Sequence, residues 1–311
     1  MTILVLSLAL PALAHGASSK PAVTTGSVAN VTPQSVTLLG RITPNQAQTT
    51  YLFQYGPTTL YGSSTPITSA GNGNGAVSVL ANVSGLAPAT TYHYRLVARN
   101  RNGRVEGADR VFKTRAQPLG LTLAATPNPV PFGRPTVLSG ALTGTGAAGR
   151  QVVLQSNPFP YTQGFVTVSN PQLTGTDGAF TFPLLSVPVN TQFRVLIPTR
   201  PEVASPIVGV NVAVRVSTNV SARRVHTGRL VRFSGRVTPA RPGALVGIQK
   251  QRGTRWVTVA GTITRSAGKR FSRYAKRIRI RRGGSYRVFV SVLDGNVASS
   301  AGRTVRITRR F

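Results

Sequence analysis

The sequence contains no cysteine and only five acidic residues among its 311 positions. The absence of cysteine excludes disulfides, thiolate metal sites and cysteine nucleophiles, so the stability of the fold has to come from buried apolar area. The acidic residues are Glu106, Asp109, Asp177, Glu202 and Asp294. General acid–base catalysis and glycoside hydrolysis each need two titratable groups brought together. The scarcity of carboxylates therefore predicts a chain that is not an enzyme.

Histidine is scarce as well. The three histidines are His15, His93 and His226. None has a partner at metal-ligand spacing, so we expect solvated histidines rather than a zinc site or a serine–histidine–aspartate set. Glu106 and Asp109 lie close in sequence to Arg104 and Arg110, which predicts local ion pairs. The sequence therefore predicts no catalytic residue, no metal site and no cofactor.

Long apolar runs are absent apart from Thr2–Ala14, which is too short to span a membrane. It ends in Ala12-Leu13-Ala14, the small-x-small pattern of a secretory signal, so we predict a signal peptide over residues 1–14. A buried first strand is the alternative, because no positive charge precedes the apolar run. No later run reaches roughly 18 apolar residues, so we expect no transmembrane segment in the mature chain.

Amphipathic helical patterns are missing, whereas turn residues recur along the whole chain. The sequence has 32 glycines and 22 prolines, with valine, threonine, isoleucine and aromatic residues between them. Turn signals recur about every eight to twelve residues, the spacing typical of β-sandwiches. One set, Tyr92, Tyr94, Leu96 and Ala98, alternates with a second set, His93, Arg95, Val97 and Arg99. This period of two places one set inward and the other mostly toward water, as in a half-buried antiparallel strand. These patterns predict an all-β protein of tandem antiparallel β-sandwiches.

The stretch Val83–Gly103 carries the most specific pattern in the chain. Gly85 and Pro88 predict a corner ahead of the alternating strand, and Asn102-Gly103 predicts a turn after it. The run resembles the central signature of fibronectin type III modules, and Tyr92 matches the position of their tyrosine corner. The resemblance implies a module that spaces or presents other domains, over residues 20–116.

The rest of the chain contains a weak internal repeat. Ser139-Gly140 recurs as Ser234-Gly235 at an offset of 95 residues, and Phe193-Arg-Val recurs as Tyr286-Arg-Val at an offset of 93. A repeat of this length predicts tandem sandwiches with a shared core pattern. We therefore predict one sandwich over residues 119–215 and another over residues 216–311.

The pattern from Gly235 through Trp256 to Val288 resembles the immunoglobulin-like repeats of secreted actinobacterial proteins. The resemblance implies an immunoglobulin-like fold for the last two modules. Together with the first module, it implies a secreted bacterial protein with a fibronectin type III-like module followed by immunoglobulin-like repeats.

Positive charge is concentrated in the last module. The chain has 37 basic residues and a formal net charge of +32. Residues 216–311 hold 23 of the basic residues and one acid, a net charge of +22, whereas residues 119–215 hold only five basic residues. A module with this charge attracts polyanions.

The arginines of the last module follow strand periodicity. Arg277, Arg279 and Arg281 alternate with Ile278 and Ile280, which places the arginines on an outer face about 6.8 Å apart, close to the spacing of phosphates along a nucleic-acid strand. Arg232 and Arg236 lie likewise outside the apolar residues Val231, Phe233 and Val237. If both strands share a sheet, the predicted polyanion-binding residues are Arg232, Arg236, Arg277, Arg279 and Arg281. The alternative is that coding bias and protection of sheet edges explain the arginines without a ligand.

These observations predict an exported, non-enzymatic spacer or adhesion protein of the cell envelope, secreted or associated with the cell wall. Its expected partners are anionic wall polymers, acidic polysaccharide or extracellular DNA, held without sequence readout, and other envelope proteins. An accessory carbohydrate-binding or spacer region of a secreted glycoside hydrolase is the alternative, with Tyr51, Tyr55 and Tyr61 as candidate sugar-stacking residues. A nucleic-acid regulator is disfavoured, because no recognition helix is predicted.

Overall fold

The computed structural model describes residues 18–199 and 202–310. The predicted signal peptide, residues 1–14, lies outside the described residues. The described residues form strands, turns and loops, and no helix among them is long and apolar enough to cross a membrane. The all-β prediction is confirmed. The contacts between residues divide the chain into two compact units, Met1–Pro118 and Leu119–Phe311.

The first unit is a sandwich of two sheets, here called the first sandwich. Its strands are β1 (Ala22–Ala29), β2 (Ser35–Thr43), β3 (Thr49–Gly56), β4 (Ser63–Ser64), β5 (Thr68–Gly71), β6 (Val77–Ser84), β7 (Thr91–Asn100), β8 (Gly103–Glu106) and β9 (Arg110–Lys113). One sheet has the order β1-β2-β6, and the other has the order β4-β3-β7-β8, with β5 on β3 and β9 on β7. Leu38, Phe53, Tyr94 and Leu96 are buried between the sheets.

The corner before β7 has the geometry that the fibronectin type III resemblance implies. The Tyr92 hydroxyl accepts a hydrogen bond from the backbone N–H of Ala87 at 2.9 Å, five residues upstream. This is the contact of a tyrosine corner. On the same face, the buried Tyr94 donates its hydroxyl proton to the carbonyl of Gly26 at 2.7 Å. Val97, which the alternation predicts to face solvent, is buried, so β7 is covered on both faces at that point.

Two sandwiches follow within the second unit. The strands of the middle sandwich are β10 (Gly120–Leu121), β11 (Ala124–Thr126), β12 (Val130–Pro131), β13 (Thr136–Thr143), β14 (Gln151–Pro158), β15 (Val166–Thr167), β16 (Gln172–Leu173), β17 (Ala179–Leu184), β18 (Thr191–Ile197), β19 (Val203–Ala204), β20 (Val208–Val210) and β21 (Val212–Ala213). One sheet joins β10, β11 and β17 to β13, and the other joins β15, β16, β19 and β20 to β14 and β18.

The last sandwich, here called the basic sandwich, repeats this plan. Its strands are β22 (Arg215–Val216), β23 (Asn219–Val220), β24 (Arg224–Val225), β25 (Leu230–Thr238), β26 (Leu245–Arg252), β27 (Arg255–Ile263), β28 (Arg265–Ser266), β29 (Ser272–Arg279), β30 (Gly284–Ser291), β31 (Ser300–Ala301) and β32 (Val305–Arg309). One sheet has the order β22-β25-β29-β28, and the other has the order β24-β32-β30-β26-β27. Phe233, Ile248, Tyr286 and Val288 lie in the core between them.

The repeated Ser-Gly pairs mark the place where the segment between the first two short strands of each sandwich passes very close to a long strand, β13 or β25. A Cβ atom on Gly140 would lie 2.0 Å from the carbonyl oxygen of Thr122, and one on Gly235 would lie 1.9 Å from that of Ser217. Only glycine fits where backbones approach this closely. The repeat in the sequence is therefore a repeat of packing.

The segment that joins the middle and basic sandwiches is hydrogen-bonded to both. The parallel pair of β12 and β21 sets Val130 beside Val212, and the N–H of Val214 donates to the carbonyl of Ala298 at 3.0 Å. Asn190 adds a side-chain bond to the carbonyl of Gly295 at 2.8 Å. These bonds hold the two sandwiches in one compact unit.

Candidate functional site

The two arginine-bearing strands of the basic sandwich lie side by side. Strands β25 and β29 pair antiparallel over eight residues each, with Arg232 opposite Arg277 and Val231 opposite Ile278. The inward apolar residues of both strands, such as Phe233 and Tyr274, are buried, and Arg232 and Arg277 are exposed. The alternation in the sequence therefore places the arginines of these strands on the outside of one sheet.

A row of three arginines crosses this sheet. Arg236 of β25 lies opposite Arg273 of β29, and Arg273 lies opposite Arg265 of β28. Neighbouring strands are about 4.8 Å apart, so the three side chains share one short stretch of surface. They line a groove of about 420 Å³ together with Arg232 and other residues. We call five of the outward arginines of these three strands the basic face; they are Arg232, Arg236, Arg265, Arg273 and Arg277.

Phe271 holds two of these arginines in place. The guanidinium carbon of Arg236 lies 4.6 Å from the centre of the Phe271 ring, and that of Arg273 lies 5.5 Å from it. Guanidinium groups are attracted to the face of an aromatic ring at such distances. The ring thus keeps two like charges close together, with their N–H groups available to a ligand.

The remaining predicted arginines border a second depression. Arg279 and Arg281 line a volume of about 920 Å³ with Arg277, Lys250 and other residues, beside strand β27. Arg279 also donates to the carbonyl of Gly228 at 3.2 Å. The five predicted residues thus fall into two neighbouring depressions, and Arg277, opposite Arg232, lies where they meet.

Electrostatic repulsion is evident in this second depression. Burial lowers the pKa of Lys250, and the nearby positive charges of Arg252 and Arg282 lower it further. Its ammonium group donates to the carbonyl of Arg282 at 3.0 Å and lies 5.5 Å from the centre of the Tyr286 ring. Burial is the larger cause of the lowered pKa, and the contribution of the two arginines reflects a local excess of positive charge.

The basic face has no internal counter-charge. Asp294 is the only acid between residues 216 and 311, and its carboxylate pairs with Arg241 at 3.0 Å. Among residues 202–310, no carboxylate oxygen lies within ion-pair distance of the basic face. Like charges placed directly opposite on neighbouring strands destabilise a sheet. The sequence of this sandwich thus retains a destabilising arrangement of charge.

Two members of the basic face are not among the residues predicted from the sequence. Arg273 has the same strand parity as Arg277, and only Ala275 interrupts the series, so the alternation could have included it. Arg265 belongs to the two-residue strand β28, which has no periodicity of its own. Its place in the row becomes evident only from the strand pairing.

The titratable groups of the first sandwich form pairs that differ from those predicted. His93 is not a solvated histidine, because its Nδ1 lies 2.8 Å from Asp109. Asp109 also accepts the hydroxyl proton of Tyr61 at 2.9 Å. Burial raises the pKa of Asp109, but the hydrogen bonds from His93 and Tyr61 and the neighbouring positive charges outweigh it, so the pKa lies below its usual value. Asp109 therefore pairs with His93 rather than with Arg110.

Glu106 pairs with Arg95 as well as with the predicted Arg104. Within residues 18–199 and 202–310, no group of three or more histidine or acidic side chains is arranged to hold a metal ion. The tyrosines proposed as sugar-stacking residues do not form a platform, because Tyr51 and Tyr61 are each only 8% exposed. Tyr51 belongs to the core, and the Tyr61 ring is covered by Arg95 at 4.7 Å.

Comparison with known proteins adds little to this description. No protein-family model matches the chain, and no curated protein matches it. Among solved structures it is similar to the chicken CNTN1 FN1-FN3 domains, with 17% identity, 94% of this chain and 100% of the other covered, and a TM-score of 0.31.

It is also similar to titin domains A168–A170, with 14% identity, 94% and 100% coverage and a TM-score of 0.38. A tetra-tandem repeat from the extending region of a large adhesion protein gives 18% identity, 92% and 74% coverage and a TM-score of 0.30. The strand topology of this chain, rather than these likenesses, establishes tandem β-sandwiches as its fold.

Proposed function

We propose that this chain is an exported, non-enzymatic spacer or adhesion protein whose basic sandwich binds anionic polymers. The observation that carries the proposal is the row of Arg236, Arg273 and Arg265 across three neighbouring strands. The arrangement costs stability and has no internal carboxylate to neutralise it in the described part of the basic sandwich. A polyanion would supply the missing negative charge.

The middle sandwich supports a functional origin of the charge. It shares the strand plan and the glycine contact of the basic sandwich, yet residues 119–215 contain only five basic residues. The fold itself thus does not require arginine at the outward positions. Coding bias acting on the whole chain would not enrich one sandwich so strongly over its neighbour.

The mode of binding follows from the chemistry of the basic face. Arginine guanidinium groups donate to phosphate, sulfate and carboxylate oxygens, and the described part of the basic sandwich contains no recognition helix. Binding is therefore electrostatic, tolerant of sequence and steeply dependent on salt. The proposed partners are anionic wall polymers, acidic polysaccharide or extracellular DNA at the cell envelope, and the apolar stretch Thr2–Ala14 supports export.

A charge-matched comparison tests the proposal. Full-length chain carrying Arg232→Gln, Arg236→Gln and Arg273→Gln is compared with a control chain carrying Arg255→Gln, Arg303→Gln and Arg306→Gln, which loses the same charge from exposed positions elsewhere. Binding to fluorescent DNA duplex and to polygalacturonate is measured by anisotropy at low salt. We expect a much larger loss of affinity in the first variant. Equal losses would mean that only the net charge matters and would refute a defined face.

A further inference from the structure

The outer surface of the other sheet of the basic sandwich carries a clamped arginine. Gln249 of β26 lies opposite Arg287 of β30, and the Arg287 Nε donates to the Gln249 Oε1 at 2.8 Å. The guanidinium carbon lies 4.4 Å from the centre of the Trp256 ring. The Nε–H and one face of the guanidinium group are therefore occupied.

The same clamp occurs in the other two sandwiches. The corresponding sets are Gln155, Arg194 and Phe165 in the middle sandwich and Gln54, Arg95 and Tyr61 in the first sandwich. Their Nε–Oε1 distances are 2.9 and 2.8 Å, and their guanidinium-to-ring distances are 4.6 and 4.7 Å. Three copies of one arrangement allow a direct comparison of what each arginine does with its terminal nitrogens.

Only the clamp of the basic sandwich lacks a carboxylate. In the first sandwich Nη1 of Arg95 pairs with Glu106, and in the middle sandwich Nη2 of Arg194 lies 3.9 Å from Glu202. In the basic sandwich the one acid, Asp294, pairs with Arg241. Within residues 202–310, no carboxylate lies within ion-pair distance of Arg287. An oriented guanidinium group without its anion is a binding site for one.

We infer that Arg287, Gln249 and Trp256 form a binding site for the carboxylate of an acidic polysaccharide. The internal partners of the other two clamps are carboxylates, and the planar fork of arginine matches a carboxylate with two parallel hydrogen bonds. The inference does not rest on the basic face, which belongs to the opposite sheet and acts through accumulated charge.

The surroundings of the clamp favour a sugar ring over a peptide. Gly247 lies opposite Phe289 on β30 and opposite Gly261 on β27, and the Thr258 side chain lies 3.3 Å from the place of a Cβ atom on Gly247. Two glycines and the half-buried Phe289 ring thus border the clamp on the same sheet. A peptide that adds as a strand needs an unpaired strand edge. Gln249 and Arg287 lie on β26 and β30, which are paired on both sides, and of the clamp strands only β27, which carries Trp256, has a free edge.

The ion pair of the first sandwich indicates which substitution would place an internal carboxylate beside Arg287. Glu106 of β8 lies opposite Val97, two residues after the clamped arginine of that sandwich. The equivalent residue in the basic sandwich is Ala301 of β31, which lies opposite Phe289, two residues after Arg287. Ala301→Glu should supply the missing carboxylate from within, and Ala301→Gln is the matched neutral control.

The fluorescence of Trp256, the only tryptophan in the chain, reports binding at the site directly. The full chain and its variants are titrated with oligogalacturonate and with its methyl ester, which has the same sugar rings without the charge. We expect saturable binding of the acid in the wild-type chain and in Ala301→Gln. We expect loss of that binding in Ala301→Glu and at least roughly tenfold weaker binding in Arg287→Gln, as for loss of a charge-assisted hydrogen bond.

Each other outcome has a definite meaning. Equal binding of the methyl ester, or unchanged binding by Ala301→Glu, would overturn the carboxylate site. Binding of polyglutamate but not of oligogalacturonate would reassign the site to acidic polypeptides and refute the polysaccharide inference. The triple variant of the basic face should retain the Trp256 response, so failure of this site and failure of the proposed function can be told apart.

Discussion

Replacing Gly235 by alanine should destabilise the basic sandwich strongly. A Cβ atom at this position would lie 1.9 Å from the carbonyl oxygen of Ser217, whereas ordinary contacts begin at 3.4 Å, so β25 or the segment that contains Ser217 has to move by about 1.5 Å. The Ser217 carbonyl accepts the hydroxyl of Tyr274 at 2.7 Å, and the N–H of Ser217 donates to the Arg236 carbonyl at 2.9 Å. The N–H of Arg236 in turn donates to the Ser217 hydroxyl at 2.8 Å.

The displacement would weaken all three hydrogen bonds, each of which contributes about 0.5–1.5 kcal/mol, so we expect a loss of about 3 kcal/mol in the free energy of unfolding. Urea unfolding followed by the fluorescence of Trp256 reports on this sandwich. Gly209→Ala is the control, because no atom lies within 4 Å of the added methyl group. If both variants unfold at the same urea concentration, the backbones at Gly235 and Ser217 do not lie this close together.

Two further predictions concern pH. Because the pKa of Asp109 lies below its ordinary value of 3.8, its ionised form stabilises the first sandwich above about pH 4, and this stability is lost as the pH falls through the lowered pKa. Asp109→Asn should therefore reduce the fall of the urea midpoint at acidic pH, with the midpoint measured by circular dichroism at each pH. An unchanged fall would exclude the His93–Asp109 pair as its cause. Burial raises the pKa of Tyr274 to about 12 from 10.0, so its neutral form stabilises the basic sandwich below pH 10 and this contribution is lost as the pH rises toward 12. Tyr274→Phe should be less stable at neutral pH but lose less stability between pH 10 and 12, and parallel curves for both chains would contradict the assignment.

Much of the fold could be predicted from local patterns. Alternation of apolar and polar residues in β7, β25 and β29 depends only on which side of a strand faces the core, so the sequence reveals it directly. The corner before Tyr92 combines residues with restricted backbone angles, which is why its hydrogen bond to Ala87 could be anticipated. The solvent-facing prediction for Val97 is wrong, because its burial depends on neighbours that the strand pattern does not contain.

The sites were less predictable, because they depend on which strands become neighbours. Arg232 and Arg277 are 45 residues apart, and their pairing is a property of register. The partner of Arg95, Glu106, lies on the neighbouring strand β8, and that of His93, Asp109, lies in the loop after it, so both also depend on strand pairing. The clamp of Arg287 has no local signature at all, since glutamine, arginine and an aromatic residue come from three different strands.

The salt dependence of polyanion binding by the full-length chain tests the central claim most directly. For duplex DNA, the slope of log K against log salt concentration should be strongly negative and should become less steep by about 0.9 for each phosphate that the protein no longer neutralises. The variant with Arg232, Arg236 and Arg273 replaced by glutamine should therefore have a slope shallower by roughly 2–3 than the wild-type chain. A wild-type affinity that persists at high salt, or an unchanged slope in the variant, would contradict electrostatic binding through the basic face.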